Sequence, residues 1–437
     1  MIKNRNIKFK IQEFFKLSKV RISLFLVSNK QIEFVSKNGF HRRILNDYSI
    51  KEEWSKGDSL VRNGKYHEGV SLMKKLLLEL HDTRKNFSSN STSPMFLSHH
   101  WATRFGHLGA LGMKLKFDES FRDQKLSQKI YIKDKTLYAK FEKLFDNRII
   151  PIHNINLLDF ERPSNWDEFD LLHMVKFNDD FIEHNAMHEL VYTNFKVDQK
   201  TPLVFDSYTR SEFLDRLGLN HDDWYVALHI RKTNYRFDER QVDQHKFNQA
   251  LEAVIKAGGK VIQFGQNMTK VELSDPSKIM YLDEIEAANN KDTSLIAHSR
   301  FLLTTSSGPI GVAHALGVPV LQTDSPAICM HSKTASLGTL YLPKKLIQNG
   351  KPVAYSELAE TGLGYTHISL AEWSRRGIRL VENSSIEILE ATLEMLYPKS
   401  VDQSFNKRLE SLRVDFNVLA RGTFANSYLE QNNWMLE

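Results

Sequence analysis

With 437 residues, 41% hydrophobic and 26% charged, the chain is long enough for two or three domains with full cores and too evenly mixed for extended disorder. Its net charge of +6 fits anionic substrates, a membrane surface or nucleic acid, and does not choose among them. The single cysteine, Cys329, excludes an internal disulfide and any metal site built on thiolate clusters, and leads to the expectation of a reducing compartment.

The basic excess gathers at the N-terminus, where Lys3, Arg5, Lys8, Lys10, Lys16, Lys19, Arg21 and Lys30 are opposed only by Glu13. Ile7, Ile11, Phe14, Phe15 and Leu17 alternate with the lysines at helical spacing. Such a helix either lies on anionic lipid or packs on the body with its lysines in water. The apolar run 22–27 lacks the length of a spanning helix and the small-residue cleavage site of a signal peptide. A cytoplasmic protein, peripheral to the membrane at most, is therefore expected. Residues 51–81 read as a helical hairpin, with Trp54, Leu60, Tyr66, Val70, Met73, Leu76 and Leu77 as its apolar positions and Gly64 between the halves. The pattern resembles one tetratricopeptide repeat without a second copy, so a docking appendage rather than a solenoid is expected. Residues 1–90 thus form a helical extension.

After a Ser- and Asn-rich loop at 86–94 the texture becomes α/β. Strands are expected at 95–98, 129–132 and 148–152, with helices running toward Phe117 and over 137–145. Residues 91–205 form a first Rossmann-like domain on this reading. From about 206 the alternation is cleaner. Strands are expected at 224–230, 260–264, 278–282, 301–304 and 318–321. Helices are expected at 245–257, 292–299, 307–316 and 386–396, with Gly258-Gly259 and Gly317 as stops. This pattern predicts a doubly wound second domain over 206–400, followed by a helical tail over 401–437. Two α/β halves imply a cleft between them.

The residues suited to chemistry sit at strand ends of the second half. The buried run ending in His229-Ile230-Arg231-Lys232-Thr233-Asn234 places a guanidinium and an ammonium at the carboxyl edge of a sheet, where open α/β folds bind ligands. That pair suits a diphosphate, as carried by a nucleotide sugar; a solvated charged turn is the plainer alternative. Thr305-Ser306-Ser307-Gly308 joins a strand to a helix. Ser306 and Ser307 are expected to cap that helix and face an anion, with Gly308 admitting close approach; a simple helix cap is the alternative. Gln263 and Gly265 follow another strand and suit a base or ribose, and Asp283 follows the next and suits ribose hydroxyls. No Asp-x-Asp follows a strand end in this half, and Asp222-Asp223 precedes a strand. Neither a metal nor another cofactor is expected, because the cationic side chains can offset a leaving diphosphate. Walker, nucleophile-elbow, zincin and dinucleotide glycine motifs are absent from the sequence.

The series Asp292…Leu295-Ile296…Ser299-Arg300-Phe301-Leu302…Thr305-Ser306-Ser307-Gly308…Ala313…Leu316-Gly317-Val318-Pro319-Val320 resembles the donor half of GT-B glycosyltransferases. It is most similar to a bacterial family found with surface-polysaccharide genes. The likeness extends to Tyr341-Leu342-Pro343-Lys344-Lys345 and Gly377-Ile378…Glu382-Asn383. His229-x-Arg231-Lys232-x-Asn234 resembles the His-x-Arg-Arg-x-Asp motif of GT-B fucosyltransferases, with Lys232 and Asn234 departing from it. Phe105-Gly106-His107-Leu108-Gly109 resembles the glycine-rich first loop of such enzymes. The resemblance implies the GT-B fold, two Rossmann-like domains facing a cleft, and transfer of a sugar from a nucleotide donor to a saccharide or glycolipid acceptor. It places His107 as the base that deprotonates the acceptor hydroxyl. Two other readings stay open: an epimerase or phosphorylase on the same fold, and a non-catalytic scaffold that binds nucleotide sugars. Nucleic acid is not an expected partner.

Overall fold

A computed structural model describes residues 209–231, 242–265, 270–285, 291–326, 328, 338–361, 373–374, 377–398, 404–416 and 422–437, with three short strands and four single helical residues before them. The early strands are β1 (Met95–Phe96), β2 (Ile130–Ile132) and β3 (Ile149–Pro151). They pair in parallel in the order β1-β2-β3, at the places the pattern predicted. Lys56, Leu60, Glu68 and Leu72 are helical, and Leu72 packs against the larger core described below. The helices expected near residues 105–117 and 137–145, and His107 itself, lie outside the described residues.

The second half is continuous enough to read as a fold. Helix α1 (Arg210–Arg216) is started by a capping box in which Thr209 and Glu212 satisfy each other's backbone N–H groups. It leads to β4 (Tyr225–His229), α2 (Asn248–Lys256) behind a short 3-10 turn, β5 (Lys260–Gln263), β6 (Ile279–Tyr281), α3 (Lys291–His298), β7 (Leu302–Thr305), α4 (Pro309–Ala315), β8 (Val320–Ser325) and β9 (Leu340–Pro343). All six strands are parallel, in the order β6-β5-β4-β7-β8-β9. The chain winds outward from β4 to β6, crosses back through α3, and winds the other way from β7 to β9. Winding therefore reverses between β4 and β7, the position where doubly wound sheets open a crevice at their carboxyl edge.

Both faces are covered, which is why the strands read as continuous apolar runs. Val226, Leu228, Val261, Leu303 and Leu321 face one core with Ala250, Leu251 and Val254 of α2. Tyr225, Ala227, Ile262, Leu302 and Val320 face the other with Phe213 and Leu214 of α1, Leu295 and Ile296 of α3, and Val312 and Ala313 of α4. Each such fully buried aliphatic side chain contributes about 1.5–3 kcal/mol relative to exposure. The predicted glycine stop after α2 has two parts. Gly258 turns at φ 86°, and a Cβ on Gly259 would stand 2.4 Å from the Trp224 indole. Arg300 stacks on the other reach of that indole, 4.5 Å from its ring centre.

Beyond β9 the chain adds a small antiparallel sheet that the sequence pattern did not predict. It comprises β10 (Lys345–Gln348), β11 (Lys351–Pro352) and, after α5 (Tyr355–Thr361), β12 (Ile378–Val381), with β10 central. Asn349 and Gly350 turn the hairpin at φ 51° and 78°, the positive pair an Asn-Gly hairpin turn requires. Helices α6 (Ser385–Leu396), α7 (Ser404–Asp415) and α8 (Asn426–Gln431) complete the described chain. The tail is helical as expected, and its described residues pack beside β9. Phe424 bridges to Tyr341 beside β9, the Tyr428 hydroxyl donates to the Pro343 carbonyl at 3.0 Å, and Met435 and Leu436 complete the core. Burial of these apolar groups fixes the tail where the nearest open apolar surface lies.

Candidate functional site

The crevice between the ends of β4 and β7 is built from side chains of both strands. Residue 231 meets Thr305 there, and Ser307 meets His229. The Arg231 backbone N–H donates to Thr305 Oγ1 at 3.0 Å, so the chain leaving β4 is tied to its neighbour just where winding reverses. Thr305 is fully buried and Arg231 partly exposed. The Thr304 hydroxyl donates to the His229 carbonyl at 2.8 Å. Thr304 Oγ1 also lies 2.8 Å from Ser307 Oγ, which lies 3.1 Å from His229 Nδ1.

Ser306 and Ser307 do not cap α4. The cap position is Gly308, at φ −56° and ψ −39°, with no side-chain cap bond, and Pro309 opens the helix. Ser307 stands one residue before the cap position, and its hydroxyl turns back to His229 and Thr304. Gly308 is exposed in a conformation open to any residue. Its contribution is a bare backbone, with no strain relieved.

His229 is only partly buried by surface, yet its ring is enclosed. It tilts against Phe264 with ring centres 5.2 Å apart. A Cβ on Gly265, whose φ is 134°, would stand 3.1 Å from His229 Nε2. Burial is the main cause that pushes the imidazole pKa down to about 4; a backbone hydrogen bond at His229 opposes it, Arg231 pushes down and Asp292 pushes up. The ring is therefore neutral at pH 7 and does not supply positive charge to an anion. Asp292, in the first turn of α3, is a charged neighbour of the crevice that sequence reasoning did not assign to it. Its place in the series that resembles a donor half, at the start of the crossover helix, was the available signal.

Two expected ligand contacts are placed otherwise. Gln263 is fully buried, and its Oε1 accepts from the Val271 backbone N–H at 3.0 Å. The amide turns inward because the chain returning to the core needs a buried acceptor. Asp283 is exposed in a 3-10 turn after β6, the outermost strand on its side. Two strand spacings, about 10 Å, separate that strand from β4, so Asp283 shares the edge but not the crevice. Lys232 and Asn234 lie outside the described residues.

A second polar cluster at the same sheet edge was not foreseen. Asp324, near the end of β8, is buried with a positive φ of 55°. Its Oδ1 accepts from the Asn383 N–H at 2.8 Å, and its own N–H donates to Asn383 Oδ1 at 2.7 Å. Oδ2 has no hydrogen-bond partner among the described residues. Burial raises this carboxyl to about 6, against the opposing pull of Lys344 and the Asn383 N–H. Thr-Asp-Ser-Pro after an apolar run was the available signal, a turn-forming series at a strand end.

Among the described residues no group of His, Cys, Asp and Glu is placed to hold a metal ion, and no helix is long and apolar enough to cross a membrane.

Fold and crevice together define a doubly wound α/β protein with a polar, partly cationic switch point at its carboxyl edge. No family model matches the chain and no curated protein is similar to it. Among solved structures it is similar to a glycosyl transferase family 9 protein from Veillonella parvula DSM 2008, at 14% identity and TM-score 0.40 over 71% of this chain and 99% of that one. It is also similar to the E. coli ADP-heptose lps heptosyltransferase II, at 11% identity and TM-score 0.35 over 60% and 92%. A third is a putative UDP-N-acetylglucosamine 2-epimerase from Listeria monocytogenes, at 13% and TM-score 0.27 over 53% and 78%. Likenesses this remote decide nothing about activity. The α/β class rests on the sheet itself.

Proposed function

We propose that the chain is a GT-B glycosyltransferase that moves a sugar from a nucleotide-diphosphate donor to a saccharide acceptor. The observation that carries this reading is the bond from Arg231 N–H to Thr305 Oγ1. It locks a cationic strand end against a hydroxyl-rich turn at the switch point, where such folds bind nucleotides. Arg231 and Lys232 hold the diphosphate, and their charge stabilises it as it leaves, so a bound metal is not required. The exposed backbone at Gly308 lets a phosphate approach. The donor domain spans about residues 206–400, residues 91–205 form the facing acceptor domain, and His107 takes the acceptor proton. The basic N-terminus brings the enzyme to the cytoplasmic face of a membrane that carries glycolipid acceptors, in surface-polysaccharide synthesis.

The test is a thermal-shift screen of the full chain against UDP, GDP, CDP, ADP and CMP, since a ligand bound only by the folded state must raise its stability. One nucleoside diphosphate should raise Tm. Arg231→Ala should weaken its binding about tenfold or more, the loss of one charge-assisted contact. If none of the five binds, the reading fails. Mass spectrometry of products, with and without saccharide acceptors, separates transfer from epimerisation, which needs no acceptor.

A further inference from the structure

Hydrogen positions at the switch point follow from counting protons along three contacts. Thr304 Oγ1 lies 2.8 Å from the His229 carbonyl and 3.0 Å from the Thr305 carbonyl. Two oxygens at that distance attract only if a hydrogen stands between them, and a carbonyl has none to give. The single Thr304 hydrogen is thus shared between these two carbonyls and is not given to Ser307. The 2.8 Å contact between Thr304 Oγ1 and Ser307 Oγ must then use the serine hydrogen. With that hydrogen spent, the 3.1 Å contact between Ser307 Oγ and His229 Nδ1 needs a hydrogen on the ring nitrogen. The relay ends on His229 as the Nδ1–H tautomer, with the lone pair on Nε2.

We infer that Thr304 is a positioning residue which, through Ser307, fixes His229 as a hydrogen-bond acceptor at the sheet's carboxyl edge, on the β5 side of the crevice. Thr304 is fully buried and cannot meet a ligand itself. His229 Nε2 lies at the bare Gly265 backbone, between the ends of β4 and β5. As an acceptor it takes the hydrogen of a hydroxyl or amino group and repels a phosphate oxygen. Division of labour follows: Arg231 serves the anion and His229 reads a neutral donor group beside it. The charged groups acting on the ring are Arg231 and Asp292. Their opposite signs leave the tautomer to the ring's hydrogen bonds, the relay through Ser307 and a backbone bond at His229 itself.

The test uses the full chain labelled with 15N-histidine at pH 7, in long-range proton–nitrogen correlation spectra. The His229 signals are identified by their loss in His229→Gln. The expected spectrum shows a protonated Nδ1 and a bare Nε2. Thr304→Val, which keeps the shape and removes the hydroxyl, should mix the two tautomers, and Thr304→Ser should restore one. A wild-type ring protonated on Nε2 or on both nitrogens overturns the inference. So does a pure Nδ1–H ring in Thr304→Val, or a mixed one in Thr304→Ser. The binding consequence rests on the function proposed above. Titration with whichever of UDP, GDP, CDP and ADP binds should show about a two- to tenfold loss in Thr304→Val, the worth of one hydrogen bond, with recovery in Thr304→Ser. Equal affinities in all three proteins refute the reading role. Absence of nucleotide binding by wild type refutes that role together with the proposed function, while the ring spectrum still decides the tautomer.

Discussion

Asp324→Asn should stabilise the protein, and more so as pH rises. The buried carboxyl carries one oxygen that accepts from Asn383 N–H at 2.8 Å and one with no hydrogen-bond partner among the described residues. Asparagine keeps the accepting oxygen, removes the charge, and enters the left-handed region at φ 55° at least as readily as aspartate. In the folded chain burial raises the carboxyl from 3.8 to about 6 even with Lys344 nearby. At ~1.36 kcal/mol per pH unit, that rise makes the ionised side chain about 3 kcal/mol worse in the folded chain than in the unfolded one. A raised folded pKa means the stability is fully present below about pH 4 and is lost as pH climbs through about 6. The variant does not titrate there. Its advantage over wild type should therefore widen by about 1.5 kcal/mol between pH 5 and pH 8. Urea unfolding followed by tryptophan fluorescence at both pH values gives the two differences directly. Equal differences between variant and wild type at pH 5 and 8 would refute the idea that burial outweighs the pull of Lys344 on the Asp324 charge.

Gly265→Ala meets both a φ of 134° and the His229 ring at 3.1 Å. It should lower stability by about 1–3 kcal/mol and weaken nucleoside diphosphate binding, checked by Tm and by titration; a silent substitution would mean the ring does not pack there. Tyr428→Phe deletes the hydroxyl that donates to Pro343 O at 3.0 Å. That carbonyl keeps the Asn383 amide as a donor at 2.9 Å, so urea unfolding should show a loss of only about 1 kcal/mol. A loss of several kcal/mol would mean the tail depends on that hydroxyl far more than its shared acceptor allows.

Secondary structure in the second half was legible because its causes are local. Tyr225 to Leu228 and Leu302 to Leu303 are apolar on both faces, and that pattern admits only a covered strand. Gly258-Gly259 ended a helix because a positive φ and the room for the Trp224 ring both need glycine. The Asn349-Gly350 hairpin was equally local and went unpredicted, though its turn residues are written in the chain. Arg231 was legible as a strand-end cation, and the turn at 305–308 as its counterpart, because charge and hydroxyls after a buried run must emerge at an edge. Strand order was not legible. Only the packed sheet sets β4 beside β7, since which strands pair depends on how helices on both faces share the apolar surface. The roles of single polar groups followed from that packing. Ser307 turned from the helix start to His229, Gln263 turned inward to hold Val271, and Asp324 met Asn383 across 59 positions. Each choice answers a need created by burial, a buried donor or acceptor left without water, and burial is a property of the assembled chain and not of any one stretch of it.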